Sequence, residues 1–336
     1  STLHFPWHDD IMQRSKETET SLDSGSSTGH VSTLKFIGGT LVGIAVLGGT
    51  IFAMGGRPEN VDLSPETPSA EESARQALAL QAHQIAASSD ALLDDVPDSE
   101  ALTQIRDVAT SYEQQLGGVW VPWPSGAPSG YTNPALDTDA PADVSSESLL
   151  EALQDFSQST LGLSTTSNAD DRPVLLSMNL GSRLLGATYA ESVGSDLPMC
   201  GDVDVALAAK AAATSDVVGV ADASRQWLET DAAQTSADSR DAQINRIDSL
   251  NAFIEVVLLH DGTDDREAFV AYPEVSDGET YTHVALDDLS ASLLSAASSS
   301  SSLEESDSII SYGCSLYLTP EERSAALPFP GIEPAK

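Results

Sequence analysis

The chain has 336 residues, an apolar fraction of 40% and a formal charge of −37, from 15 lysines and arginines against 52 acids. So acidic a surface repels phosphate backbones and anionic headgroups, which excludes nucleic-acid binding and favours basic partners or divalent cations; the plainer reading is a solvated surface suited to its surroundings. Lysine is confined to Lys16, Lys35, Lys210 and Lys336, aromatics make up 5%, and the length beyond residue 56 is ample for a core in one large domain or two small ones.

Residues 1–34 form a polar tail rich in Ser, Thr and Gly, apart from Leu3-His4-Phe5-Pro6-Trp7-His8, and 11–33 read as disordered. Residues 35–56 follow as a predicted transmembrane helix. Phe36 to Met54 carries no charge, and as a helix it spans about 28 Å, close to a bilayer's hydrocarbon core. A cleaved signal fits poorly: the preceding tail is long, no A-x-A-like site follows Met54, and no cysteine waits for a lipid. A start at Ser1 fits loss of an initiator methionine, so the expectation is an uncleaved anchor.

Arg14, Lys16 and Lys35 precede the span and only Arg57 follows closely, which places the N-terminus in the cytoplasm and the bulk beyond the plasma membrane. Gly39 and Gly43 form a GxxxG pair, and Ala45, Gly49 and Ala53 continue a stripe of small residues. Small residues at four-residue spacing let a second helix approach closely, so the expected partner is a membrane protein, either another copy or a larger complex. The alternative is the ordinary abundance of glycine in membrane spans.

Residues 57–70 hold three prolines and read as a stalk, leaving 71–336 as an acidic, helical extracytoplasmic domain. Ser69 caps a helix with Glu71 and Glu72 in its first turn and a stripe of Leu78, Leu80, His83, Ile85, Leu92 and Leu93. Pro97-Asp98 opens another, with Leu102, Ile105, Val108, Tyr112 and Leu116, closed by Gly117-Gly118. The Pro/Trp loop 117–142 forbids helix. Its Trp120, Trp123 and Tyr131 either pack on their own domain or meet a partner, and its prolines lower the ordering cost of recognition.

Helical spacing resumes over Ser145–Leu163 (Leu149, Leu150, Leu153, Phe156), over 171–193 with Pro173 in its first turn, over Asp202–Thr230, and over Gln243–His260. Phe269–Tyr272 and Tyr281–Val284 read as short strands or turns, Leu286–Ala297 as helix, Ser298–Ser302 as a flexible run, Pro320–Leu327 as a last helix, and the PFPGIEPAK tail as extended. The fold class is therefore mainly α: one N-terminal membrane helix and a bundle of six to eight helices.

Cys200 and Cys314 both fall on the predicted outer side and are expected to form one disulfide; closing a loop of about 114 residues contributes roughly 4–5 kcal/mol in the chain-entropy model. There is no C-x-x-C, G-x-S-x-G, Walker A, G-x-G-x-x-G, H-E-x-x-H or EF-hand pattern. His83, His260 and His283 each lack a glutamate three residues earlier, as a di-iron site would need. The expectation is a chain without catalytic residues, cofactor or metal.

The Gly-rich anchor, the Ala/Ser/Asp-rich and Lys-poor exterior, the LGGVWVPWP stretch and the LPFPGIEP tail resemble envelope proteins of actinobacteria, especially the corynebacterial group. In plan the chain is similar to single-pass accessory subunits of the cytochrome bc–cytochrome oxidase supercomplex. That resemblance implies a non-catalytic accessory subunit of a respiratory complex, with cytochrome bc or cytochrome oxidase subunits and the lipid bilayer as partners. The alternative is a free-standing envelope protein binding a small molecule or cell-wall component.

Overall fold

The computed structural model describes residues 68–332, with breaks at 134, 136–139, 142, 235 and 276–279. The predicted tail, the span with its Gly39, Gly43, Ala45, Gly49, Ala53 face, and most of the stalk lie outside these residues. Among the described residues there are ten α-helices and no strand, and no helix is long and apolar enough to cross a membrane. The chain divides into two compact units: one holds Pro68–Val121 and the chain from Pro134 onward, with all ten helices; Pro122–Asn133 belongs to the other.

The helices begin where polar caps allow. In α1 (Ala70–Leu93) the Ser69 hydroxyl accepts from the Glu72 N–H at 3.1 Å, and in α2 (Glu100–Gln115) Ser99 does the same for Leu102. Ser145 and Ser148 close a capping box on α3 (Ser146–Ser164). Pro173 sits in the first turn of α4 (Arg172–Val193), and Gly194, at φ 68°, ends it in the left-handed region. Then come α5 (Val205–Ala212), α6 (Val218–Gln234), α7 (Ala237–Leu259), α8 (Tyr281–Ser299), α9 (Leu303–Ser315) and α10 (Pro320–Ala325).

Four departures from the sequence reading have local causes. The expected helix over 202–230 breaks at 213–217, where Thr214, Ser215 and Asp216 are residue types that favour turns over helix interiors and Ser215 N and Val217 N make turn hydrogen bonds to Ala212 O and Ser215 O. Residues 303–315 form a helix that periodicity did not show, since Ser306, Ser308 and Ser311 supply much of its buried face beside Ile309, Ile310 and Tyr312. Phe269–Tyr272 is irregular, and Tyr281–Val284 is the first turn of α8, capped by Thr280. The tail, as far as it is described, folds back: the Tyr112 hydroxyl donates to Pro328 O at 2.8 Å and the Ser177 hydroxyl to Pro330 O at 2.8 Å.

Two hydrophobic clusters share α4, whose residues 175 to 186 are buried without interruption. Leu176, Leu180 and Leu184 join the cluster built by α5 to α9; Leu175, Met178, Leu185 and Tyr189 join the one built by α1 to α3. Stacked rings fill each: Tyr112 on Phe156 at 5.7 Å, and Phe253 on Tyr312 at 4.7 Å. The tail crosses α8 at Gly331, whose φ is 67° and where a Cβ would lie 2.5 Å from the Ala291 nitrogen.

Two predictions follow from this packing. Gly331→Ala should lower unfolding free energy in urea by about 2–3 kcal/mol, through strain and overlap, whereas Gly162→Ala in open space on α3 should raise it by about 0.5 kcal/mol. Burial pushes the phenols of Tyr112, Tyr312 and Tyr317 well above their ordinary value of 10.0, so these three stay protonated past it for as long as the fold holds. Unfolded phenols ionise near the ordinary value and folded ones do not, so stability is full below that pH and falls as pH rises past it. Absorbance titration at about 295 nm should show these three ionising together with cooperative unfolding, and their independent titration would refute the burial argument.

Candidate functional site

The disulfide forms as expected. Cys200, in the α4–α5 connection, joins Cys314 of α9 with an S–S length of 2.03 Å and a Cα–Cα distance of 5.4 Å. Beside it Arg183, 5% exposed in the middle of α4, donates to Ser311 Oγ at 2.8 Å and to Cys200 O at 3.3 Å, and forms an ion pair with Asp307. The disulfide thus ties the α4–α5 connection to α9, and the ion pair beside it ties α4 itself to α9. Unlike that pair, whose Asp307 carboxylate reaches solvent, a fully buried pair links Arg246 of α7 to Glu322 of α10 at 3.1 Å; Glu322 also accepts from the N–H groups of Leu318 and Thr319. Burial draws the Arg246 guanidinium below its ordinary pKa, against the pull of Glu322. Such pairs add little net stability, yet losing one partner strands a buried charge at a cost of about 3–5 kcal/mol. These groups hold the body together.

The Pro/Trp loop is more suggestive of an outside partner. Trp123 and Tyr131 meet with ring centroids 5.3 Å apart and planes at 55°, while Trp120 falls in the helical unit. The Asn133 side chain bridges both backbone groups of Trp123: its Oδ1 accepts from Trp123 N at 3.0 Å and its Nδ2 donates to Trp123 O at 2.9 Å. Two turns, Gly126 N to Trp123 O and Tyr131 N to Pro128 O, complete a closed loop. Gly126 at φ 106° and Gly130 at φ 91° provide backbone that other residues rarely adopt. Pro124, Ser125, Gly126, Ser129 and Gly130 are exposed. The aromatic pair is therefore the latch, and the small residues between are what it offers to solvent. No charge occurs anywhere in residues 114–136, in a chain with 52 acids.

The α7–α8 connection was not singled out as a site. Asp265 Oδ1 accepts from Gly219 N at 2.7 Å at the start of α6, Trp227 Nε1 donates to Ala271 O at 3.2 Å, and the Tyr272 hydroxyl lies 3.1 Å from Thr230 Oγ1. The segment thus runs as a strap along α6 from its first turn towards its last. Phe269 stands 79% exposed on it, as does Leu259 at the end of α7. A sequence clue existed in Asp264-Asp265-Arg266, whose charges make a buried strand around Phe269 unfavourable.

Among the described residues no group of three or more His, Cys, Asp or Glu is placed to hold a metal ion. No family model, curated protein or solved structure matches this chain.

The disulfide carries a direct test. Cys200→Ala with Cys314→Ala should lower unfolding free energy by about 4–5 kcal/mol in the chain-entropy picture. Alkylation in denaturant without reductant should label neither cysteine, and two labelled thiols would contradict the pairing.

Proposed function

We propose that this chain is a membrane-anchored, non-catalytic accessory subunit that holds an acidic helical body on the outer side of a larger membrane complex. One observation carries the reading: the charge-free run Phe36–Met54, long enough for a bilayer and striped by Gly39, Gly43, Ala45, Gly49 and Ala53 for packing on another helix. The Cys200–Cys314 disulfide supports it, because a structural disulfide belongs to an oxidising compartment beyond the plasma membrane. The latched loop around Trp123 and Tyr131 supports it too, since Asn133 and the prolines have already met the ordering cost of recognition. The resemblance to accessory subunits of the cytochrome bc–cytochrome oxidase supercomplex nominates the partner. On this reading the chain itself holds no cofactor.

The test is extraction in mild detergent followed by native electrophoresis with haem staining. Co-migration with haem proteins is expected, and Gly39→Leu with Gly43→Leu should release the chain. A wild-type chain that migrates alone, or a body untouched by protease added to intact spheroplasts, overturns the proposal.

A further inference from the structure

We propose that α2, α4 and α8 form a seat for a peptide of Pro-X-Pro-Gly type, and that residues 327–332 of this chain fill it as a clasp that opens while the helical body stays folded. The segment follows α10 and has no helix or strand of its own. It is gripped as a bound peptide is gripped, by side chains of the body on its main-chain carbonyls.

Two donors set the register. The Tyr112 hydroxyl of α2 donates to Pro328 O and the Ser177 hydroxyl of α4 to Pro330 O, both at 2.8 Å. Tyr112 and Ser177 are themselves buried, so an emptied seat would present two core hydroxyls in want of acceptors. A Pro-X-Pro stretch suits them. Its prolines have no N–H to satisfy and a φ fixed in advance, so they offer carbonyls two residues apart at small ordering cost.

Glycines on both sides make the fit selective. In the seat, a Cβ at Gly181 of α4 would lie 3.0 Å from Pro328 O and 3.3 Å from a Leu327 methyl, so glycine there leaves room for the first proline. In the segment, Gly331 passes the backbone of α8 at φ 67°. A Cβ on it would lie 2.5 Å from the Ala291 nitrogen and 2.6 Å from the Ser290 carbonyl carbon, neither of which can turn aside. Between the prolines, the Phe329 ring meets that of Tyr112 with centroids 5.5 Å apart and planes at 57°.

The grip is local. Leu327 and Phe329 pack on the margin of the cluster built by α1 to α3, Ile332 on the margin of the other, and within the segment only Pro330 is buried. Every buried member of the two clusters precedes residue 318. Lifting the segment therefore strips an edge from each core and leaves both interiors in place, which is the condition for opening below global unfolding. The inference does not depend on the anchor or on a respiratory partner.

Hydrogen exchange on the wild-type full chain is the first test. The amides of Leu327 and Ile332, which donate to Ser324 O and Phe329 O, should show protection at least about tenfold lower than the most protected amides of α4. The second test uses a labelled peptide of residues 326–332 and the full chain carrying Gly331→Val, a β-branched residue that left-handed backbone rejects. This variant should keep its helical circular dichroism and bind the peptide at least about tenfold more tightly than the wild-type chain, whose seat is filled. The peptide bearing the same substitution should lose that binding. Exchange of Leu327 and Ile332 in step with α4, loss of the helical signal in Gly331→Val, a peptide that binds both chains equally or neither, or full binding by the substituted peptide overturns the proposal.

Discussion

A helix buried on every side has no water to satisfy its polar groups or absorb its bulk, and α4 is such a helix for twelve residues, 175 to 186. Its leucines serve two cores at once, so each core is shaped by the other through one rod. Its polar residues are spent as fasteners: Ser177 on the tail, Asn179 on Ser157 O of α3, Arg183 on Ser311 and Asp307 of α9. Its glycines set the spacing. A Cβ at Gly181 would lie 2.0 Å from the Tyr112 hydroxyl, and one at Gly186 would lie 2.1 Å from the Met199 methyl. Small residues there admit a tyrosine from α2 and a methionine from the α4–α5 link, and larger ones would drive both off.

What the sequence disclosed follows from the same logic. Elements that bury leucine and aromatic residues at helical spacing were readable, as in α2, where Leu102, Ile105, Val108, Tyr112 and Leu116 are all buried. Where alanine and serine do the packing, periodicity fades. In α1 the buried face is Leu78, Ala79, Ala82, Ile85, Ser88 and Ser89, while Leu80, an expected member, is only half-buried. In α9 the serines hide the stripe, although Ser308 and Ser315 return their hydroxyls to carbonyls of the preceding turn. The disulfide was readable because two cysteines leave one pairing. The Trp123–Tyr131 pairing could be suspected; its latch could not, since Asn133 acts across ten residues through a geometry that no local pattern encodes. Phe269–Tyr272 stayed open between strand and turn because an apolar run of four fits either; contacts of Asp265 and Ala271 with α6, distant in sequence, decide for irregular backbone.

Scarcity of positive charge gives the molecule its outward character. Several arginines are engaged in internal ties: Arg183 and Arg246 as described, Arg172 on the carbonyls of Ser164 and Ser298, and Arg323 on Tyr317 O, Leu318 O and Glu191. Cations used inside the fold leave acids outside with few neighbours of opposite sign, so the exterior field is strongly negative over distances near the Debye length. Such a field speeds the approach of basic partners and disfavours acidic ones, while the lifetime of any complex depends on the groups in contact.

Those groups are where carboxylates give way. The segment 114–136 interrupts them by omitting charge altogether, and its latched turn suits a partner chosen by shape and hydrogen bonding. On the proposed membrane arrangement it would act at high effective concentration, because an anchored body searches a plane and not a volume. Such a contact then needs only modest affinity of its own.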